Sequence, residues 1–502
     1  MFAVAAYDDL KQRLGEINDL HSTAAILDWD QNVMMPARGS AIRAEQLATL
    51  GKLAHEMFVD DETGRLLDAA APFAEAQPYD SVEASLVRVT RRDWEKARKI
   101  PAELTAEMTR QASLAIPVWV EARRNSDYKA FRPALQTNLD LRKRYVECFA
   151  GEFDEPYDVL LDDFEPGMRT AEVRRLFDYL KEHQAPLVRR AAEAAAGVAP
   201  PTGPWAIDAQ KVFELEVARA FGFDDDAWRL DPTVHPFATG AGSQDIRITT
   251  RYFPDHLGGL FGTMHETGHG LYEHQVGAEL ERTPLGSGVS LGFHESQSRM
   301  WENLVGRGRP FWRHFFPRLA ELFPEATAGL DPESWYRVMN TVEPSLIRVE
   351  ADEATYNLHI ILRFELEQAM INGTVSLDDL PGEWNRLMSE YLTVDVPDDA
   401  NGVLQDTHWA GGAIGYFPTY ALGNLIGAQI WSKIEADLPD LDASFAAGDF
   451  APLRVWLRDN LHTFGRKYTP AETLERVVGT RTIDPAPYVA YLQSKLSDLY
   501  GV

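Results

Sequence analysis

Residues His265-Glu266-Thr267-Gly268-His269 spell His-Glu-x-x-His. Positions i and i+4 of an α-helix lie on one face, one turn apart, so two imidazoles there can point at a single ion. Glu266 sits on the neighbouring face, within reach of a water held by that ion. Five residues thus offer two metal ligands and a general base, the equipment of metal-assisted hydrolysis. The competing reading is a core helix with two satisfied histidines, which leaves a buried Glu266 without a purpose.

A catalytic zinc site ordinarily has three protein ligands and one open position. The candidate third ligand is Glu295, in His294-Glu295-Ser296-Gln297-Ser298-Arg299, with neighbouring His294 as its competitor. Glu295 follows His269 by 26 residues, beyond the Gly-rich stretch 283–292. That loop is long enough to fold a second helix against the first. Glu302 lies seven residues further on, two helical turns along the same face, where it can accept a bond from a ligand histidine.

Elements must hold these groups in place. Over 255–275, Leu257, Leu260, Phe261, Met264, Leu271 and Tyr272 recur at helical spacing, and Asp255 is the expected cap. Five glycines weaken this helix in isolation, so it is expected to be buried with neighbours close against it. Helical periodicity also marks 7–24, 39–58, 81–99, 101–125, 128–149, 170–196, 208–221, 294–305, 349–372, 377–392, 418–438 and 487–499. Alternating β-branched residues over 245–252 read as a strand, with its partner inside 230–239. The expectation is a mainly α protein with one small antiparallel sheet near the metal helix. It is read as one domain over 1–502, with a helical lobe over 1–200 and a metal-binding lobe over 201–502. The breaker Ala-Pro-Pro-Thr-Gly-Pro within 197–204 is the expected link.

Composition narrows the partners. The 502 residues carry 45% hydrophobic and 25% charged side chains, as an ordinary water-soluble chain does. A net charge of −28 repels phosphate backbones and anionic membranes, so neither nucleic acid nor membrane is an expected partner. Cys148 stands alone, which rules out an internal disulfide and multi-thiolate zinc sites. The N-terminal residues lack a basic leader with an apolar core, and no apolar run reaches membrane-spanning length. A cytoplasmic location is expected.

Taken in order, several motifs resemble the carboxypeptidase Taq family of metallocarboxypeptidases. They are His235-Pro236-Phe237, Asp245-Ile246-Arg247-Ile248-Thr249, His265–His269, His294-Glu295-Ser296, Ile347-Arg348-Val349-Glu350-Ala351-Asp352 and Gly402-Val403-Leu404-Gln405-Asp406-Thr407-His408-Trp409. Leu27-Asp28-Trp29-Asp30-Gln31 and Leu160-Leu161-Asp162-Asp163-Phe164 join them, with Phe164 standing where the family pattern has tyrosine. The resemblance covers most of the chain. It implies a helical, cleft-bearing homodimer that removes C-terminal residues from peptides with one zinc or cobalt ion. Specificity would be broad, with C-terminal proline disfavoured.

A carboxypeptidase must grip a free carboxylate, and arginine does so bidentately. Arg348 is the first candidate, unless it merely pairs with Asp352 at i+4; Arg247 and Arg299 are alternatives. His408 and Tyr420, with Tyr416 beside them, are candidates to steady the oxyanion of a tetrahedral intermediate. Asp406 can orient an imidazole, Gln405 can contact substrate backbone, and His235 with Arg247 can shape a subsite. Two rivals stand beside this reading: an oligopeptide endopeptidase on the same scaffold, and a noncatalytic peptide-binding protein whose zinc a fourth ligand closes off.

Overall fold

The computed structural model describes residues 2–197 and 201–502, so the expected link at 197–204 falls partly outside the described residues. The chain is mainly helical, with one three-stranded sheet. It divides into two compact units, each built from separate stretches of sequence. Unit 1 comprises Met1–Arg98, Pro200–Met339 and Ile430–Thr482, and unit 2 comprises Lys99–Ala199, Asn340–Gln429 and Ile483–Val502.

Unit 1 opens with a long helix, Phe2–Val33, which packs on Asp61–Glu75 and Ser40–Val59. Leu10, Leu14, Leu66, Leu67, Ala70 and Leu86 close this part of the core, with Leu280 and Leu285 from the loop after the metal helix. The sheet consists of β1 (Trp228–Pro232), β2 (Ala238–Gly242) and β3 (Asp245–Thr250), in the order β1-β3-β2. The expected partner region does supply the neighbours of β3, but the sheet is mixed: β2 pairs antiparallel and β1 parallel. Two neighbours rather than one flank β3, because residues 233–237 carry the chain back before β2 begins and only the β2–β3 connection is a tight hairpin.

The metal helix runs Gly258–His274. Asp255 does not cap it; the helix starts after Leu257, and His256 Nδ1 accepts from the Gly258 amide at 3.0 Å. Gly259, Gly268 and Gly270 do what the sequence suggested, whereas Gly262 faces open space. A Cβ on Gly259 would sit 2.4 Å from the Arg251 carbonyl oxygen, and one on Gly270 would sit 2.4 Å from the Trp228 ring. Behind the helix, the buried Glu214 of helix Ile207–Phe221 accepts from Thr263 at 2.5 Å and from Thr250 of β3 at 3.1 Å. One carboxyl therefore ties together the metal helix, its backing helix and the sheet. Burial pushes that carboxyl up to about 7, against the two hydroxyls.

The expected helix 294–305 is two segments. Ser290 caps an α-helix over Leu291–Arg299 by accepting from the Phe293 amide at 3.2 Å. A π-helical turn over Met300–Val305 follows, closed by a bond from the Gly306 amide to the Trp301 carbonyl at 3.0 Å.

Unit 2 is a helical assembly in which the buried rings of Tyr157 and Phe177 each pack edge-on against Phe364. The helix expected over 349–372 begins only at Tyr356. Asp352 explains the delay, because its carboxylate accepts from the amides of Ala354 and Thr355, and such a bond competes with helix. Arg348 therefore lies in a short 3-10 turn, and the i+4 pair with Asp352 does not form.

Candidate active site

On the metal helix, His265 and His269 present their rings one turn apart, with centroids 4.9 Å from each other. Glu295 reaches them from the second helix. Its Oε2 lies 3.6 Å from His265 Nε2 and 3.7 Å from His269 Nε2. Among the described residues, these three form the group able to share one ion, with ligand atoms all within 4.8 Å. Two imidazoles and a carboxylate suit zinc and its first-row neighbours. Both rings hold their Nδ1 atoms in hydrogen bonds, which leaves the Nε2 atoms facing Glu295. The residues present therefore fit a divalent cation.

Gly268 allows this convergence. Its missing Cβ would lie 2.6 Å from the Gln297 carbonyl oxygen and 2.7 Å from Ser298 Cα, so the two helices touch backbone to backbone beside Glu295. Glu302 does what the spacing suggested, accepting from His265 Nδ1 at 2.9 Å. Burial opposes its charge, but Arg299, His265 and Arg307 outweigh burial and hold the Glu302 carboxyl down at about 2. Arg299 bridges two carboxylates, with Nε 2.6 Å from Glu295 and Nη1 3.1 Å from Glu302. It is thereby part of the metal centre's frame.

Glu266 is buried, only 6% exposed. Burial pushes its carboxyl up to about 7; the charge of His265 pulls it down, and Glu295 and Glu302 push it further up. Such a group takes up and returns a proton near neutrality. His294, the rejected ligand candidate, lies behind His269, with Nδ1 to Nδ1 at 3.2 Å.

Within unit 2 the second constellation is dense. Arg348 is 5% exposed. Its Nε and Nη2 donate to Asp406 Oδ1 at 3.0 and 2.8 Å, and its Nη1 donates to the Tyr356 hydroxyl at 2.8 Å. These bonds use three of a guanidinium's five N–H groups. Arg363, missed in the sequence, completes the cluster with Nε 2.7 Å from Asp406 Oδ2. Despite burial, the two arginines hold the Asp406 carboxyl far below the usual range. Gln405 accepts from the Arg348 amide at 3.0 Å and from Arg363 at 2.7 Å, while its NH2 donates to Leu346 and Asn401 carbonyls. All four of its bonding positions are engaged inside the protein. His408 Nε2 lies 3.2 Å from the Tyr420 hydroxyl, and the Tyr416 ring packs against both. Burial pushes the His408 imidazole down to about 4, so it is neutral at pH 7. Phe164 packs edge-on to Tyr416 at 5.1 Å, filling the place with a ring that lacks a hydroxyl.

In unit 1, His235 is exposed in the connection between β1 and β2. Arg247 is committed to Asp245 at 2.8 and 2.9 Å and stacks on Trp29 at 4.6 Å. Arg229, its register partner on β1, lies 4.8 Å from the same indole ring.

Comparison with known proteins gives one consistent answer. The family model of carboxypeptidase Taq (M32) metallopeptidases matches residues 9–496. Thermostable carboxypeptidase 1 of Thermus thermophilus is 43% identical, with 99% of each chain covered. Carboxypeptidase 1 of Bacillus subtilis is 37% identical, covering 98% of this chain and 97% of its own. The crystal structure of an M32 carboxypeptidase from Deinococcus radiodurans R1 superposes with a TM-score of 0.94 at 40% identity, over 99% of this chain and 100% of the other.

Proposed function

The chain belongs to the carboxypeptidase Taq (M32) metallopeptidase family and is a metal-dependent carboxypeptidase; from that premise we propose how its residues divide the work. The carrying observation is the convergence of His265, His269 and Glu295 with a buried Glu266 in the same helical turn. Bound there, a divalent ion supplies a Lewis acid that acidifies water and polarises a carbonyl. Glu266 takes the proton from the attacking water and returns it to the leaving amine. Glu302 holds His265 in the tautomer whose Nε2 carries the lone pair.

The remaining roles follow the chemistry of each group. Arg348 has N–H groups beyond those spent on Asp406 and Tyr356, and it is assigned the substrate's terminal carboxylate. Asp406, Arg363 and Gln405 hold it rigid, and Gln405 meets the substrate backbone only by exchanging an internal bond. Tyr420, tied to neutral His408 and packed by Tyr416, donates to the developing oxyanion. His235 lines a subsite. The proposed ion is zinc, with cobalt the alternative, because both accept this donor set. Broad specificity that spares C-terminal proline, a homodimeric state and a cytoplasmic location complete the proposal. Among the described residues no helix is long and apolar enough to cross a membrane.

The test is a matched pair of experiments. Glu266→Gln is expected to abolish release of C-terminal residues while metal content stays at the wild-type level; retained turnover overturns the role of Glu266. Wild-type enzyme is expected to leave a C-terminally amidated peptide intact. Internal cleavage of that peptide favours the endopeptidase reading instead.

A further inference from the structure

Two histidines hold the ion in the proposed site, and their outer faces are supported differently. His265 Nδ1 meets a carboxylate directly, at 2.9 Å from Glu302. His269 Nδ1 meets a third imidazole, His294 Nδ1, at 3.2 Å. The far nitrogen of that ring, His294 Nε2, lies 2.6 Å from Glu273 Oε1. Glu273 stands four residues after His269, one turn further along the same face of the metal helix.

The chain of contacts permits one assignment of protons that leaves a ligand lone pair. An ionised carboxylate only accepts, so His294 donates from Nε2. A neutral His294 then accepts at Nδ1, and His269 donates from its own Nδ1. His269 Nε2 is left with a lone pair, facing Glu295 at 3.7 Å. Three features hold the intermediate ring still. The Tyr272 ring packs on it at 4.8 Å. Gly288 leaves room for it, since a Cβ there would sit 2.6 Å from His294 Nε2. The Gly288 amide donates to Glu273 Oε1 at 3.0 Å, fixing the carboxylate at the end of the chain.

We propose that His294 and Glu273 are positioning residues for the metal centre, a relay that sets the tautomer and ring orientation of ligand His269 as Glu302 does for His265. The proposal rests on the three-ligand metal site argued above. It gives the Gly-rich loop a task, because Gly288 both clears and anchors the relay.

Zinc-loaded and cobalt-loaded enzymes are compared for metal release into excess chelator, with the visible absorption of the cobalt form as a second readout. His294→Leu removes the imidazole acceptor and leaves the backbone of residue 294 in place; His294→Asn keeps a carbonyl oxygen near the position of Nδ1. Glu273→Leu breaks the far end at a partly exposed site and serves if the His294→Leu protein does not fold. Loss of an outer partner to a ligand histidine typically costs about 10–100-fold in affinity. Release from His294→Leu and Glu273→Leu is therefore expected to be about 10–100-fold faster, with a changed cobalt spectrum. His294→Asn is expected to stay within a few-fold of wild type, with metal-free melting temperatures close to one another.

Equal release rates from wild type, His294→Leu and Glu273→Leu overturn the relay while leaving the metal site standing. So does an Asn variant as impaired as the Leu variant, which would mark the ring as packing only. A wild-type protein that takes up neither ion overturns the metal site and the relay together.

Discussion

Gly268→Ala sets two physical effects against each other. Helix propensity alone favours alanine in a helix interior by about 1 kcal/mol. Geometry opposes it. The new Cβ would lie 2.6 Å from the Gln297 carbonyl oxygen and 2.7 Å from Ser298 Cα, where ordinary contact begins at 3.4 Å. Both obstacles are backbone, so no side-chain rotation relieves them, and the second helix must retreat by about 0.8 Å. Glu295 rides on that helix, and its Oε2 starts 3.6 and 3.7 Å from the two Nε2 atoms. A retreat of that size directly away from the imidazoles takes these separations to about 4.4 and 4.5 Å. One ion bonded at about 2.0–2.2 Å to each ligand spans about 4.3 Å only in a straight line, and a tetrahedral site needs about 3.4 Å. Glu295 is therefore expected to leave the coordination sphere. Metal affinity should fall at least about 100-fold, at the far end of what loss of an outer partner costs. Competition against a chromophoric chelator measures the affinity, and thermal unfolding of the metal-free protein measures the helix. Undiminished affinity together with a raised melting temperature would refute the argument that helix approach at Gly268 sets the ligand spacing.

Other expectations follow from the same structure. Glu302→Gln keeps an acceptor for His265 but weakens its pull and leaves Arg299 and Arg307 short of a counter-charge; metal affinity should drop about 10–100-fold, read by metal titration. Arg363→Met leaves Asp406 with one guanidinium in place of two, and breaking such a buried pair should cost about 3–5 kcal/mol in denaturant unfolding; a cost below 1 kcal/mol would show the cluster to be slack. Glu367 is fully buried, and burial pushes its carboxyl up to about 7 against donors from Tyr157, Gly415 and Trp409. A folded-state value above the unfolded one means the folded protein keeps a proton that the unfolded chain gives up. This group's contribution is then full below about pH 4.5 and lost as pH rises through about 7. Between pH 5 and pH 8, wild type should lose about 2–3 kcal/mol relative to Glu367→Gln, measured by urea unfolding of both. A stability difference independent of pH would mean the three donors keep the carboxylate ionised throughout.

What the sequence disclosed was local. His265, Glu266 and His269 could be read because one helical turn brings them together without help from distant residues. Glu302 was read from its spacing after Glu295, although its bond to His265 joins residues 37 apart, and the glycines of the metal helix announced its close neighbours. The strand over Asp245–Thr250 was visible in its alternation, but the direction of β1 was not, since pairing depends on how residues 233–237 route the chain. Arg348 illustrates the limit. Its i+4 neighbour Asp352 is spent on the amides of Ala354 and Thr355, and its true partner, Asp406, lies 58 residues away. Glu273 lay within reach of a closer reading, four residues beyond a ligand, yet its link to His294 joins residues 21 apart across a connection that has no periodicity to interpret.

The π-helical turn after Arg299 bears on how this segment can change over time. Such a turn accommodates an extra residue within an α-helix, so its length acts as a ruler. Removing Met300 or Trp301 would let the coil relax to regular winding and change the angle of Glu302 around the axis relative to Glu295. The two carboxylates would then no longer keep their present alignment toward His265. Side chains along the turn can be exchanged while its residue count cannot, so insertions and deletions should be selected against here more severely than substitutions.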